Sequence, residues 1–184
     1  MKMRLVRSPA IFFAAFALTF CAASVRADEQ SAAVSVGAPQ AEIDFIAIFT
    51  AAHKDYMASR SPTRAQDGRL QVQVRLLRFM QTGQKAEGWT GTVRSRGLTP
   101  EGDAWISIEV ADGVTLSTWQ SETDDGRAGT LILPGSKLFA IAQTAQIGQS
   151  IRFSGNFLTF LLAQDEDMIL RPRFIMNFSD LNMT

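Results

Sequence analysis

The chain has little with which to do chemistry. Among its 184 residues there is one cysteine, Cys21, and one histidine, His53. An intrachain disulfide is excluded, and with Cys21 inside a leader at residues 1–27, a zinc site in the mature chain would have at most one nitrogen ligand and no sulfur. A serine–histidine–aspartate site would need His53 beside a serine, and no nucleophile motif marks one. The acidic runs Asp124-Asp125 and Asp165-Glu166-Asp167 lack the alternating oxygen spacing of a calcium loop and read as solvated turns. The carboxylates show no cluster spaced for a nuclease metal. The expectation is a protein that is not an enzyme and has no metal and no cofactor.

Two further scarcities narrow the class. No apolar run approaches the ~20 residues of a membrane span. The longest, Ala10 to Phe20, follows Lys2, Arg4 and Arg7 and precedes Val25-Arg26-Ala27, which is the layout of a secretory signal cleaved after Ala27. Phe20 stands before Cys21 where a lipidation site needs a small residue. A surplus of positive charge is also missing. The chain carries 18 basic and 18 acidic residues, and residues 1–27 take four of the basic ones, leaving a mature net charge of −4. That disfavours a nucleic-acid partner. About 157 residues then remain, enough for one core. The expected location is the periplasm or the cell exterior.

What is present is patterned. Residues 28–38 are small and polar without periodicity, a flexible lead-in. From Pro39, the residues Phe45, Ile48, Phe49, Ala52 and Tyr56 fall on one helical stripe, which predicts an amphipathic helix within 39–62, ended by Ser61-Pro62 and packed on the body. In "RLQVQVRLLRF", Leu70, Val72, Val74 and Leu76 alternate with polar residues. That favours a strand, although Val72, Leu76 and Phe79 also suit a helix face.

From Gly88 onward the strands are clearer. "GWTGTVRSR" can bend at Gly91, and Trp89 shares the inward phase of Gly91 and Val93. "DAWISIEV" and "VTLSTWQS" alternate on either side of Asp112-Gly113. A strict two-residue turn would set Glu109 opposite Leu116, so a three-residue bulged turn pairing Val110 with Leu116 and Ile108 with Thr118 is expected. Ser136 can cap a helix carrying Leu138, Ile141, Ala142 and Ala145, stopped at Gly148. "SIRFSGNFLTF" turns Ile151 and Phe153 inward and curves at Gly155; "QDED" is a loop. "MILRPRFIMNF" is the last strand, where Pro172 suggests an edge or a bulge.

Strand, strand, strand, helix, strand, strand is the element order of the OB-fold, a five-stranded Greek-key barrel with a helix between strands three and four. The expected fold is therefore mainly β: an OB-fold-like barrel domain over 63–184 with an added N-terminal amphipathic helix. The run "GWTGTV…GDAWISIEV…TW…D…TLILPGSKLF…IGQSIRFSGNF…FIMNFSD" resembles a group of small, mostly uncharacterised bacterial OB-fold proteins, over residues 85–180. The resemblance implies a fold and a binding role, with no catalytic residue set.

Trp105 and Trp119 lie on the polar phase of strands two and three, with Ser107 and Glu109 on the same face and Arg94 nearby. OB-folds commonly bind ligands on that face, between the loops after strands one and four, here "RGLTPEG" and "AQDED". An aromatic pair beside a carboxylate and a guanidinium suits a protein or oligosaccharide partner in the cell envelope. The competing expectation is that the first helix covers this face and packs Phe45 or Phe49 on the tryptophans. An exported metal-dependent hydrolase or nuclease, and a single-strand nucleic-acid binder, are the alternatives from other classes.

Overall fold

A computed structural model describes residues 37–59, 62–83, 85–126, 128–161 and 170–184. The leader with its cleavage point after Ala27, nearly all of the lead-in, and the loops "AQDED" and "QDED" lie outside the described residues. The elements are α1 (Gln40–Ser59), α2 (Pro62–Thr82), β1 (Lys85–Leu98), β2 (Ala104–Ala111), β3 (Val114–Ser117), α3 (Glu122–Asp125), α4 (Lys137–Thr144), β4 (Ser150–Leu161) and β5 (Arg173–Met183). The strands close into one mixed barrel in the order β1-β2-β3-β5-β4, antiparallel except for β3 with β5.

Closure depends on one long strand serving two neighbours. The first part of β1, from Lys85 to Thr92, pairs with β4, and the part from Thr92 to Leu98 pairs with β2. The change of partner falls beside Gly91. A β-carbon there would stand 2.5 Å from Ile108 Cγ2 and 2.8 Å from the Glu109 carbonyl oxygen, so only glycine allows β1 and β2 to approach this closely. Bulges between Ala86 and Trp89 and between Val93 and Ser95 add the curvature. On β4, Ile151, Phe153 and Phe157 enter the core, and a β-carbon on Gly155 would meet the Asn177 carbonyl at 2.5 Å.

Residues 70–79 form a helix, not the expected strand. The alternation is real but comes from two apolar stripes on α2. Val72 and Leu76 are buried and Phe79 is partly buried, whereas Leu70, Val74 and Leu77 point to solvent. Together α1 and α2 make a helical hairpin whose aromatic residues extend the barrel core. Phe45 of α1 has ring neighbours Phe49, Phe79, Trp89, Phe157 and Phe174, with centroids 5.1–5.3 Å away. Trp89 is fully buried, as its phase predicts.

Three local expectations need correction. The β2–β3 connection is the two-residue turn Asp112-Gly113, with Ala111 opposite Val114 and Gly113 at φ +74°. The extra residue sits in the strand instead, between Glu109 and Ala111, so that Ile108 faces Leu116 and Ser107 faces Ser117. Glu109 Oε1 accepts the Gly113 N–H at 3.1 Å, which holds the tight turn. Helix α4 has the expected Ser136 cap on the Phe139 N–H but ends at Thr144 with Ala145 as its C-cap; Gly148, at φ +87°, instead forms the turn into β4. Pro172 precedes β5, which is not an edge strand: its residues pair with both β3 and β4, and the Pro172 carbonyl accepts the Thr115 N–H.

Where α1 meets β1, Glu42 is buried and its Oε1 accepts both the backbone N–H and the hydroxyl of Thr90, each at 3.1 Å. Burial raises its pKa above the ordinary 4.5, against the lowering effects of the Thr90 hydrogen bonds and the Arg152 charge. The folded protein therefore binds more protons than the unfolded chain just above pH 4.5. The stability from this site is full below that value and falls as pH rises through the raised pKa. Glu42→Gln keeps the acceptor and removes the charge. Its stability should equal or exceed the wild type at pH 7, and the part of the pH slope due to Glu42 should vanish. Glu42→Ala leaves the Thr90 N–H unpaired and should cost about 1–3 kcal/mol. Urea melts from pH 4 to 8 check both; parallel pH profiles for wild type and Glu42→Gln would refute the assignment.

Candidate binding face

The outer face of β1, β2 and β3 is built in rows by the registers. One row sets Ser95, Ser107 and Ser117 side by side across the three strands. On one side of it, Trp105 is paired with Gly97, and its indole occupies the space a β-carbon of Gly97 would need, with ring atoms 2.6–2.8 Å from that position. On the other side, Thr92, Glu109 and Thr115 form a row that continues to Arg173 on β5. Arg94, in the bulge of β1, reaches the Glu109 carboxylate at 3.6 Å. The glycine at 97 thus seats the tryptophan, and the small serines form a trough between an aromatic wall and an ion pair.

Of the five residues expected at a site, Trp105, Ser107 and Glu109 lie on this face of β2, Arg94 sits beside it in the β1 bulge, and Trp119 lies beyond the end of β3. Trp105, Trp119 and Glu109 are half-buried and Arg94 is exposed. Ser107 is buried and opposite the fully buried Ser117, whose hydroxyl accepts from Arg173 Nε at 3.2 Å. It therefore belongs to the floor of the face. Trp119 is not opposite Ser107 as the bulged turn implied. Thr118 still bonds Ile106 through both its N–H and its hydroxyl, and Trp119 then leaves the ladder at the level of Trp105, its N–H donated to Thr130 Oγ1. Among the described residues no ring contact joins Phe45 or Phe49 to Trp105 or Trp119. Phe45 meets Phe49, Phe79, Trp89, Phe157 and Phe174, and Phe49 meets Phe45 and Phe174.

The "SETDDGRAG" segment is more ordered than a solvated turn. Ser121 caps the short α3. Asp125 is buried and accepts the Thr130 N–H at 2.8 Å and its hydroxyl at 2.5 Å. Asn177 of β5 donates to the Gly129 carbonyl at 3.1 Å, so the segment crosses the outer side of β5. The chain then returns as Ile132, bridged to Ala104 through both backbone groups. Isolated aspartates in a polar run gave no sign of this lock; the Asp–x4–Thr spacing is its only trace in the sequence.

Beside the trough, an open groove of about 360 Å³ runs along Thr90, Gly91 and Thr92, walled by Glu109 to Asp112 and by Ser150. At the other end, the β1–β2 turn is closed by Thr99, whose Oγ1 accepts the Asp103 N–H. The neighbouring Glu122 carboxyl raises the pKa of Glu101, and that of Glu122 is lowered by the Glu101 and Thr99 side chains. No group of three or more histidine, cysteine, aspartate or glutamate side chains converges as a metal site among the described residues. No protein-family model matches the chain, and no curated protein matches it in sequence.

Proposed function

We propose that the protein is an exported, non-catalytic binding module on an OB-fold barrel, and that its ligand is a protein or a glycan of the bacterial cell envelope. The strand order β1-β2-β3-β5-β4, the parallel β3–β5 pair and a helix between β3 and β4 support the fold reading. The observation that carries the binding reading is Trp105. A large aromatic held on the backbone of Gly97, on the outer face and without a ring contact to Phe45 or Phe49, is an anchor of the kind that dominates interfaces. Trp119 at the same level and the Arg94–Glu109 pair across the trough supply the second ring and the polar contacts.

The mature protein, immobilised, should capture its partner from an envelope extract. Trp105→Ala and Trp119→Ala should each weaken capture by tenfold or more, since a hot-spot aromatic is worth ~2 kcal/mol or more. Their melting temperatures should stay near that of the wild type. Iodide should quench part of the tryptophan emission and leave the Trp89 share untouched. Complete shielding of the emission, or capture unaffected by both substitutions, would refute this site.

A further inference from the structure

The second apolar stripe of α2 has no counterpart in the binding reading. Leu70, Val74 and Leu77 follow one another at i, i+4 and i+7 and are 55%, 49% and 53% exposed. They form the side of the helix opposite the buried Val72 and Leu76. Along one flank of the stripe, the 100° helical step places Arg75 and Arg78, both exposed.

Charge separates this helix from the rest of the molecule. It holds four arginines, Arg64, Arg69, Arg75 and Arg78, against the single acid Asp67. Outside residues 1–27 and α2, the chain has ten basic residues against seventeen acidic ones. An anionic surface would repel the barrel and attract this one helix. A second copy is a poor occupant, because pairing two such helices sets like charges together. Three aliphatic side chains also supply little of the ~800 Å² per partner that a stable dimer buries. A narrow apolar stripe with arginines beside it suits a helix lying in a lipid interface, its aliphatic tips among the acyl chains and its guanidinium groups on the phosphates. No helix among the described residues is long and apolar enough to cross a membrane, so this contact would be peripheral.

We propose that α2 docks the protein on an anionic phospholipid surface through Leu70, Val74 and Leu77, with Arg75 and Arg78 on the headgroups. The test is flotation of the full chain with vesicles of phosphatidylcholine and phosphatidylglycerol in equal parts, and with vesicles of phosphatidylcholine alone. The N-terminal apolar run is common to all variants, so the differences between them report on α2. The wild type should partition at least tenfold more strongly onto the anionic vesicles, and added salt should reduce the difference. R75E/R78E should lower partitioning onto the anionic vesicles by tenfold or more, since both introduced carboxylates would then repel the phosphates. L70S/V74S/L77S should lower partitioning onto the anionic vesicles by tenfold or more with the melting temperature held, because all three side chains are exposed. Trp105→Ala should bind vesicles like the wild type, which separates this surface from the β1–β3 face. Equal partitioning of wild type and R75E/R78E overturns the proposal. So does a concentration-dependent dimer that the triple serine variant abolishes, which would make a second copy the occupant.

Discussion

Phe45→Ala is expected to destabilise the protein by about 3–5 kcal/mol, the largest loss from any single truncation in the helical hairpin. Phe45 is fully buried and touches five aromatic rings, two of them on the helices (Phe49 and Phe79) and three on the barrel (Trp89, Phe157 and Phe174). Removing the ring leaves a cavity that neighbours from five elements would have to fill together, and close-packed interiors relax only partly. At ~2–4 °C per kcal/mol for a chain of this size, the melting temperature should drop by on the order of 10 °C. Urea unfolding should show a lower midpoint with an unchanged slope. Phe45→Leu, which keeps most of the volume, should cost clearly less. A loss below 1 kcal/mol for Phe45→Ala would mean that the helical hairpin and the barrel do not share a core.

The legibility of this fold in its sequence varied with the kind of signal. Strands with one buried face were readable from alternation, and so were the Ser136 cap and the inward phase of Trp89 and Phe153. The α1 stripe was readable too, because Phe45, Ile48 and Phe49 face one side only. Helix α2 was not, because two apolar stripes on one helix produce a run in which every second residue is apolar. Leu70, Val72, Val74 and Leu76 belong alternately to the outer and the inner stripe, and a period of two results without a strand.

The binding face shows the same division. Its rows follow from pairing registers, and a register depends on where an extra residue is accommodated. The need to keep Glu109 from opposing Leu116 was visible in the sequence; that Val110 would bulge and leave the Asp112-Gly113 turn tight was not. The difference moved Trp119 by two residues relative to Ser107, to the level of Trp105. The seat of Trp105 on Gly97 depends on contact between β1 and β2, which no local pattern encodes. Likewise, the Asp125–Thr130 lock links residues whose types alone suggest a solvated loop.

Gly91→Ala should destabilise the barrel wall by about 1–3 kcal/mol. Its β-carbon would lie 2.5 Å from Ile108 Cγ2 and 2.8 Å from the Glu109 carbonyl oxygen. The first contact is with a side chain, and the second is with backbone inside the β1–β2 ladder, where no rotamer change can relieve it. Ile108→Ala supplies the control, because it deletes the methyl group and leaves the carbonyl in place. If the side-chain contact dominated, Gly91→Ala would add nothing to the cost of Ile108→Ala. The close approach of the two backbones predicts instead that the double variant is less stable than Ile108→Ala alone by 1 kcal/mol or more. Urea midpoints for the wild type, both single variants and the double variant give that coupling directly. A double variant as stable as Ile108→Ala would show that the methyl of Ile108, and not the β1–β2 backbone contact, requires glycine at position 91.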